Sequence, residues 1–463
     1  MIAGMVSYMI LSNGEDPNAA PDPTPAPPAY YTIINLNKDE LEEIEITSAD
    51  TTTQLAKKVS GEETTWYMPK YSDVILNQTT MQYMCGTLGL FNVDKIFLDN
   101  ANEADLSEYG LDKPQFVITA KFTGSTKIIR IGAATVDAKY LYLSMDGDES
   151  IYLIDPQRIT NLIKPTTGLV DITTTIPETG FLTGLKLERP NEALFELALD
   201  VRLRELLVGD YELGETHAGY IFLQSRSPLN GANIAGNLFN SEFYDYVYQL
   251  SLLTCESFDQ NGDYGFDEPK MTLLLQTDTE SMEFVVGAQC SDTAYYCRYS
   301  GRNEVFSVYK ETVDLIIGSR VMKTIDSFVS LPMIDTIGRI DVNSGEKSYV
   351  AEIVHEPIEN DTTRTVITAN VNGKAISDVN IRDLYRTIIT PQYSFAVTDV
   401  PEPSGDVLVE IIFYGTDGYP LYHDRYYNYN ADFYTVTHNG QTMPPVSKFT
   451  VDYVLEAMEK AAE

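Results

Sequence analysis

The chain has 463 residues, 43% hydrophobic and 22% charged, a balance that lets each of about three domains bury its own core. Acidic residues outnumber basic ones 68 to 32, a formal charge of −36, and such a surface repels phosphate backbones, which argues against a nucleic-acid partner. Tyrosine is abundant, 31 residues beside the lone Trp66, and it suits half-buried strands.

The chain opens with Met1 to Leu11, apolar and uncharged, whereas a bilayer span needs roughly 20 residues. The stretch lacks the basic start and small-residue cleavage site of a secretory signal. Asn13 to Pro28 is rich in Pro, Ala and Asp, the composition of a stiff linker. Residues 1–29 are therefore expected to be an apolar stub, the end of a truncated membrane anchor, and its tether; an unstructured leader is the alternative.

Residues 30–175 read as a first unit. Leu41-Glu42-Glu43-Ile44-Glu45-Ile46 alternates as a half-exposed strand, and Trp66-Tyr67-Met68 is another after the Gly61 turn. Asn77-Gln78-Thr79-Thr80 offers N-cap chemistry for a helix through Met84 and Leu88 to Phe91. Glu108-Tyr109-Gly110-Leu111-Asp112-Lys113-Pro114 precedes β-rich runs from Phe116, Lys127, Tyr140 and Ile151, separated by Gly and Asp turns as in an antiparallel meander. A short helix from Pro156 to Ile163 closes the unit.

Residues 176–330 repeat this order. Tyr220 to Leu223 stands for the Trp66 strand, and Asn240-Ser241-Glu242 caps a helix through Tyr246, Leu250 and Leu253. The signature returns as Asp263-Tyr264-Gly265-Phe266-Asp267-Glu268-Pro269, an offset of 264 − 109 = 155. Each copy leads into a β-rich run, an Ile/Val-Gly-Ala turn and a Tyr-rich strand, and the joints from Asp171 and Asp326 keep the offset. Residues 331–463 form a diverged third unit, with a helix capped by Ser377-Asp378 and the signature reduced to Thr398-Asp399-Val400-Pro401-Glu402-Pro403. There, Thr450-Val451-Asp452 echoes Thr312-Val313-Asp314 at the start of a closing helix. The expected fold is α+β: three tandem repeats, each a mostly antiparallel sheet with a helix packed on one face.

The signature resembles that of a bacterial family, domain of unknown function 4340, which carries Tyr-Gly-Leu-Asp-x-Pro before a β-meander; Phe266 departs from the Leu of that pattern. The resemblance covers residues 32–317 as two family-like units. It implies a membrane-tethered extracytoplasmic protein, often found beside ABC-type export or gliding-motility-like components, and no activity that can be carried to a residue.

Each signature position has a structural reason, with a ligand site as the alternative. Gly110 and Gly265 free the backbone where the chain reverses, and Pro114 and Pro269 pre-set entry to the next strand. Tyr109 and Tyr264 can pack their rings while their hydroxyls reach solvent or backbone, and Asp112 and Asp267 can accept turn amides. Cys85 and Cys255 fall in or just after helices and read as buried thiols, whereas Cys290 and Cys297 flank a turn and can form a local disulfide outside the cytoplasm.

Asp259-Gln260-Asn261-Gly262-Asp263 begins like a calcium loop, but Tyr264 and Lys270 stand where Gly and Glu are needed. His217, His355, His423 and His438 share no metal-ligand spacing, and strand neighbours His423 and Asp424 point to opposite faces. No catalytic residue, cofactor or metal site is assigned. Tyr295, Tyr296, Tyr299, Tyr426, Tyr427 and Tyr429 can form an aromatic face for sugar or protein, or serve as core and half-exposed strand residues.

The expected function is a non-enzymatic accessory protein, anchored at its N-terminus on the extracytoplasmic face of a bacterial membrane and contacting a membrane protein complex. The alternatives are a cell-surface module for glycan or peptidoglycan, and a cryptic hydrolase built on a carboxylate pair.

Overall fold

The computed structural model describes residues 30–61, 63–172, 182–208, 223–235, 243–319, 321–358, 361–396 and 402–463. The expected anchor stub and tether, the Asn240-Ser241-Glu242 cap and Thr398 to Pro401 of the third signature lie outside them. The fold is α+β with antiparallel sheets, and the chain divides into two compact units, residues 1–171 and 172–463.

The first compact unit contains β1 (Tyr31–Asn35), β2 (Leu41–Ser48), β3 (Thr52–Ser60), β4 (Glu63–Tyr67), α1 (Gln78–Gly89), β5 (Leu90–Val93), β6 (Lys95–Leu98), α2 (Glu103–Glu108), β7 (Phe116–Phe122), β8 (Ser125–Ala134), β9 (Leu141–Met145) and β10 (Ile151–Ile154). β1 pairs with β5, and the main sheet runs β4-β3-β2-β7-β8-β9-β10-β6. Helix α1 starts where the Asn77 side chain accepts the Thr80 amide at 2.9 Å. It buries Met81, Met84, Cys85 and Leu88, the i, i+3, i+4, i+7 stripe of a one-faced helix. Each buried Met or Leu of this stripe contributes about 1.5–3 kcal/mol of transfer free energy.

The second compact unit continues with β11 (Leu182–Glu188), β12 (Phe195–Leu199), α3 (Val201–Val208), β13 (Leu223–Ser227), α4 (Asp245–Tyr248), β14 (Leu253–Ser257), β15 (Met271–Thr277), β16 (Ser281–Ser291), β17 (Ala294–Tyr299), β18 (Val305–Tyr309) and α5 (Lys310–Gly318). It then adds β19 (Ile337–Ser344), β20 (Lys347–Ile358), β21 (Asp361–Val371), β22 (Lys374–Ile376), α6 (Asp378–Ile388), β23 (Val407–Gly415), β24 (Pro420–Asn428), β25 (Phe433–His438), β26 (Gln441–Ser447) and α7 (Lys448–Ala462).

The second sheet runs β13-β12-β11-β15-β16-β17-β18-β14, position for position the order of the first. In both, the chain leaves the third strand, forms a helix, and returns on the far edge before the meander. The third sheet, β22-β21-β20-β19-β23-β24-β25-β26, keeps the central seven-strand run, but its eighth strand lies on the opposite edge. Among the described residues, the place beside β26 holds a short contact, a bridge between Tyr393 and Val446 and the Ser394 amide donating to the Pro445 carbonyl at 2.8 Å.

Exit segments also correspond. Val170 bridges Leu76 and Ile325 bridges Ile234; the amides of Asp171 and Asp326 donate to the carbonyls of Ile75 and Asn233, each at 2.8 Å.

Each sheet seals the outer side of its third strand differently. The Gln78 amide binds both backbone groups of Trp66, at 2.9 and 3.0 Å. The Ser225 amide of β13 donates to Ala232 at 2.9 Å, and β22 covers β21.

Within the second compact unit the two sheets are tied closely. Arg202 of α3 donates to the Asp417 carboxylate at 2.9 Å and to the Tyr419 and Pro420 carbonyls, and Tyr385 of α6 donates to the Pro332 carbonyl. The third sheet's core joins Ile340, Val342, Ile411 and Phe413 to Leu384 and Ile388 of α6 and Val454 and Met458 of α7.

Three local expectations need correction. Leu253 and Cys255 lie in strand β14, because the preceding helix is one turn of α-helix and one of 3-10. The Pro156 helix is a 3-10 turn ending at Ile159. The Ile/Val-Gly-Ala triplets lie inside β8 and β16 and form no turn.

Candidate functional site

At the first signature turn the Ala133 amide donates to the Tyr109 carbonyl at 2.9 Å; at the second, Ala288 donates to Tyr264 at 2.7 Å. Gly110 and Gly265 have φ of +70° and +72°, the left-handed region that glycine enters without strain. Opposite them, a Cβ on Gly132 or Gly287 would fall on the Tyr109 or Tyr264 carbonyl oxygen. The Tyr-Gly of the signature and the glycine of the following strand are thus two halves of one close backbone crossing.

The Tyr109 ring packs on Phe97 and Tyr142, with centroids 5.2 and 4.5 Å away. Tyr264 packs edge-on against Tyr296 at 4.9 Å, and its hydroxyl donates to the Asp259 carbonyl at 2.8 Å. Pro114 and Pro269 are half-buried just before β7 and β15. Asp112 and Asp267 are exposed, and their side chains accept no turn amide among the described residues. Asp259 accepts the Asn261 amide at 2.9 Å, as an acidic turn does.

The six tyrosines considered for an aromatic face do not share one. Tyr295, Tyr299 and Tyr426 are buried, Tyr296 and Tyr427 are half-buried strand neighbours with the opposite orientation, and Tyr429 is exposed beyond β24. Tyr295 donates to Asp314 of α5 at 2.9 Å and accepts from Lys310 at 2.6 Å. Tyr434 donates to Asp452 of α7 at 3.0 Å, with the Lys448 ammonium 5.2 Å over its ring. The Thr-Val-Asp echo therefore marks a shared tie from the seventh strand to the closing helix, a role the sequence pattern did not disclose.

All four cysteines are free thiols, so the local disulfide is not formed. The register gives the reason: Cys297 lies opposite Val286, and Cys290 lies further along β16, past a bulge. Burial raises both thiols above the ordinary range.

His423 and Asp424 face opposite sides of β24. His423 meets Glu410 at 2.6 Å, and Arg425 donates to the same carboxylate at 3.0 Å. Asp424 is buried with His438 and Ser330: His438 Nδ1 lies 2.7 Å from Asp424 Oδ1, and the Ser330 hydroxyl donates to Asp424 Oδ2 at 2.6 Å. These are the residue types of a hydrolytic triad, but serine and imidazole both face the carboxylate. Nε2 points to Asn439, 3.3 Å away, where a catalytic histidine would hold its serine. The group fixes the Ser330 linker to the third sheet.

Two concavities stand out among the described residues. One of about 220 Å³ lies beside the second signature turn, where Arg298 sits 4.8 Å over Phe266 and the buried Arg302–Glu304 pair, 2.5 Å apart, forms a wall. The other, about 500 Å³, is a groove between α6 and α7 closed at the side by β22. No group of three or more potential metal ligands occurs among the described residues, and no helix among them is long and apolar enough to cross a membrane.

Comparison with curated proteins and with solved structures gives no match. The family model described as domain of unknown function DUF4340 matches residues 66–261, from the end of β4 past β14, and so crosses from the first sheet into the second. Over that span the chain resembles the DUF4340 family.

Proposed function

We propose that this protein is a non-enzymatic accessory module, held at the outer face of a bacterial membrane by its N-terminus and acting through protein contacts. We read it as three copies of one α+β unit, each a sheet with helices on one face. The shared strand order, the paired backbone crossings at Tyr109 and Tyr264, and the Tyr–Asp ties at Tyr295 and Tyr434 support that reading.

The observation that carries the functional reading is how the reactive side chains are used. Ser330, His438 and Asp424 are sealed in a core, and Arg302 and Glu304 neutralise each other. The larger described concavity is a helix–helix groove with an apolar floor, a shape suited to a protein segment. The test is chemical crosslinking of the full-length protein in its native membrane, followed by identification of what is joined to it. Stoichiometric recovery of one membrane complex supports the reading; recovery of cell-wall fragments alone, or of nothing, overturns it.

A further inference from the structure

We propose that the groove between α6 and α7 receives an amphipathic helix of a partner protein, with apolar residues against α7 and carboxylates against Lys374 and Lys460; the proposal rests on the protein-contact reading above. Helix α7 has two apolar faces. Val451, Val454 and Met458 are buried in the core, as one face of a surface helix should be. A second row, Phe449, Tyr453, Ala457 and Ala461, repeats every fourth residue along the same helix. Phe449 is 78% exposed and Tyr453 50% exposed, so two large rings stand on successive turns with no described residue covering them.

Ala457 and Ala461 continue the row as a low floor beside Leu384 of α6, and small side chains there let another helix approach closely. From Phe449 to Ala461 the row spans about 18 Å, three turns of a docked helix.

Charge selects the occupant. Of the ionisable groups in the groove, Asp383 is engaged by Arg386 at 2.9 Å. Lys374 and Lys460 have no ion-pair partner among the described residues, and Glu456 is the groove's one carboxylate besides the Asp383 engaged by Arg386. Two ammonium groups against one carboxylate make this groove locally cationic in a chain of net charge −36. In a two-fold contact a second copy would set the same two lysines against each other, and that repulsion disfavours self-association. A helix with carboxylates opposite the two lysines pairs with them within a Debye length, where the rest of the surface is screened.

The probe is a fluorescent synthetic helix about 18 residues long, with leucines at i, i+3, i+4 and i+7 and flanking glutamates, titrated with the whole chain. The expected result is saturable binding that weakens about tenfold on Phe449→Ala or Tyr453→Ala, two exposed positions whose loss leaves the fold intact. A lysine-flanked peptide binds about tenfold more weakly, and Lys374→Ala with Lys460→Ala removes that discrimination. Tyr83→Ala, an exposed tyrosine on α1, leaves binding unchanged.

Absence of saturable binding, or equal binding by the Tyr453→Ala chain, overturns the proposal. So does sedimentation showing a dimer that Phe449→Ala dissociates, since the occupant is then a second copy. Failure here is separable from failure of the accessory reading. Native crosslinks that survive Tyr453→Ala refute this groove alone, and peptide binding without any native crosslink refutes the accessory reading alone.

Discussion

The Ala288 amide donates to the Tyr264 carbonyl at 2.7 Å, across a backbone crossing so tight that only glycine fits at the residue before it, Gly287. The same bond joins Ala133 to Tyr109. Substituting Gly287→Ala drives a methyl into that carbonyl, and a destabilisation of about 3 kcal/mol is expected. Gly110→Ala, at φ +70°, is expected to lose about 1–2 kcal/mol. Asp267→Ala, which removes an exposed carboxylate, changes stability by less than about 0.5 kcal/mol. Urea denaturation of the three variants checks the order; a large loss at Asp267 would show that the turn relies on its acid.

The Tyr295 and Tyr434 hydroxyls each hold a closing helix to its sheet. Tyr295→Phe and Tyr434→Phe are each expected to cost about 1 kcal/mol, and the double variant their sum to within about 0.5 kcal/mol. Thermal unfolding reads both. A cost at one site only would mean that the two ties differ in role.

Burial raises the Glu410 carboxyl, but hydrogen bonds from His423 and Arg425 outweigh it, so the group ionises below the usual glutamate range. A depressed folded pKa contributes stability that is fully present above the unfolded value, about 4.3, and is lost as pH falls through the folded one. Glu410→Gln is therefore expected to lower stability at neutral pH and to flatten its acid limb, with no change in the alkaline limb. Chemical denaturation across acid pH measures this, and an unchanged acid slope would contradict it.

Asp424→Ala strands His438 and Ser330 in a core without their acceptor, and a loss of about 3–5 kcal/mol is expected. For the same reason a fluorophosphonate probe leaves Ser330 unlabelled in the folded protein. Labelling at Ser330 would revive the hydrolase alternative.

Burial pushes the Cys85 thiol up to about 11 and Cys255 to about 12, and holds Cys297 well above the ordinary range. Cys290 is also raised, but it is the one half-exposed cysteine. Iodoacetamide at mildly alkaline pH should alkylate Cys290 first, with the other three modified only on unfolding. Intact mass without reductant should show four thiols; a deficit of two hydrogens would mean that β16 and β17 shift to join Cys290 to Cys297.

The meander strands and the start of α1 were legible because alternation and an Asn77 cap are local signals, set by the period of the backbone. Strand β6 was not: Lys95, Ile96 and Phe97 are exposed, so no alternation marks it, and only pairing with β10 makes it a strand. Leu253 continued a helical spacing from Tyr246, and its pairing with Val308 overrode that pattern. The groove joins Lys374 and Leu384 to Tyr453 and Lys460, residues brought together only by the packing of α6, α7 and β22. Cys290 and Cys297 are close in sequence, yet a bulge in β16 places them out of register.

The three different seals on the third strands bear on how the chain avoids confusing its own parts. Sheets of like strand order on one polypeptide invite exchange, since a strand from one can dock in the place meant for another during folding. A glutamine side chain at Trp66, a folded-back loop at Ser225 and an added strand at β21 occupy those docking sites by means that cannot substitute for one another. Replacing Gln78 with alanine would open one such edge, and the resulting hazard is strand-swapped oligomers formed on refolding at high concentration.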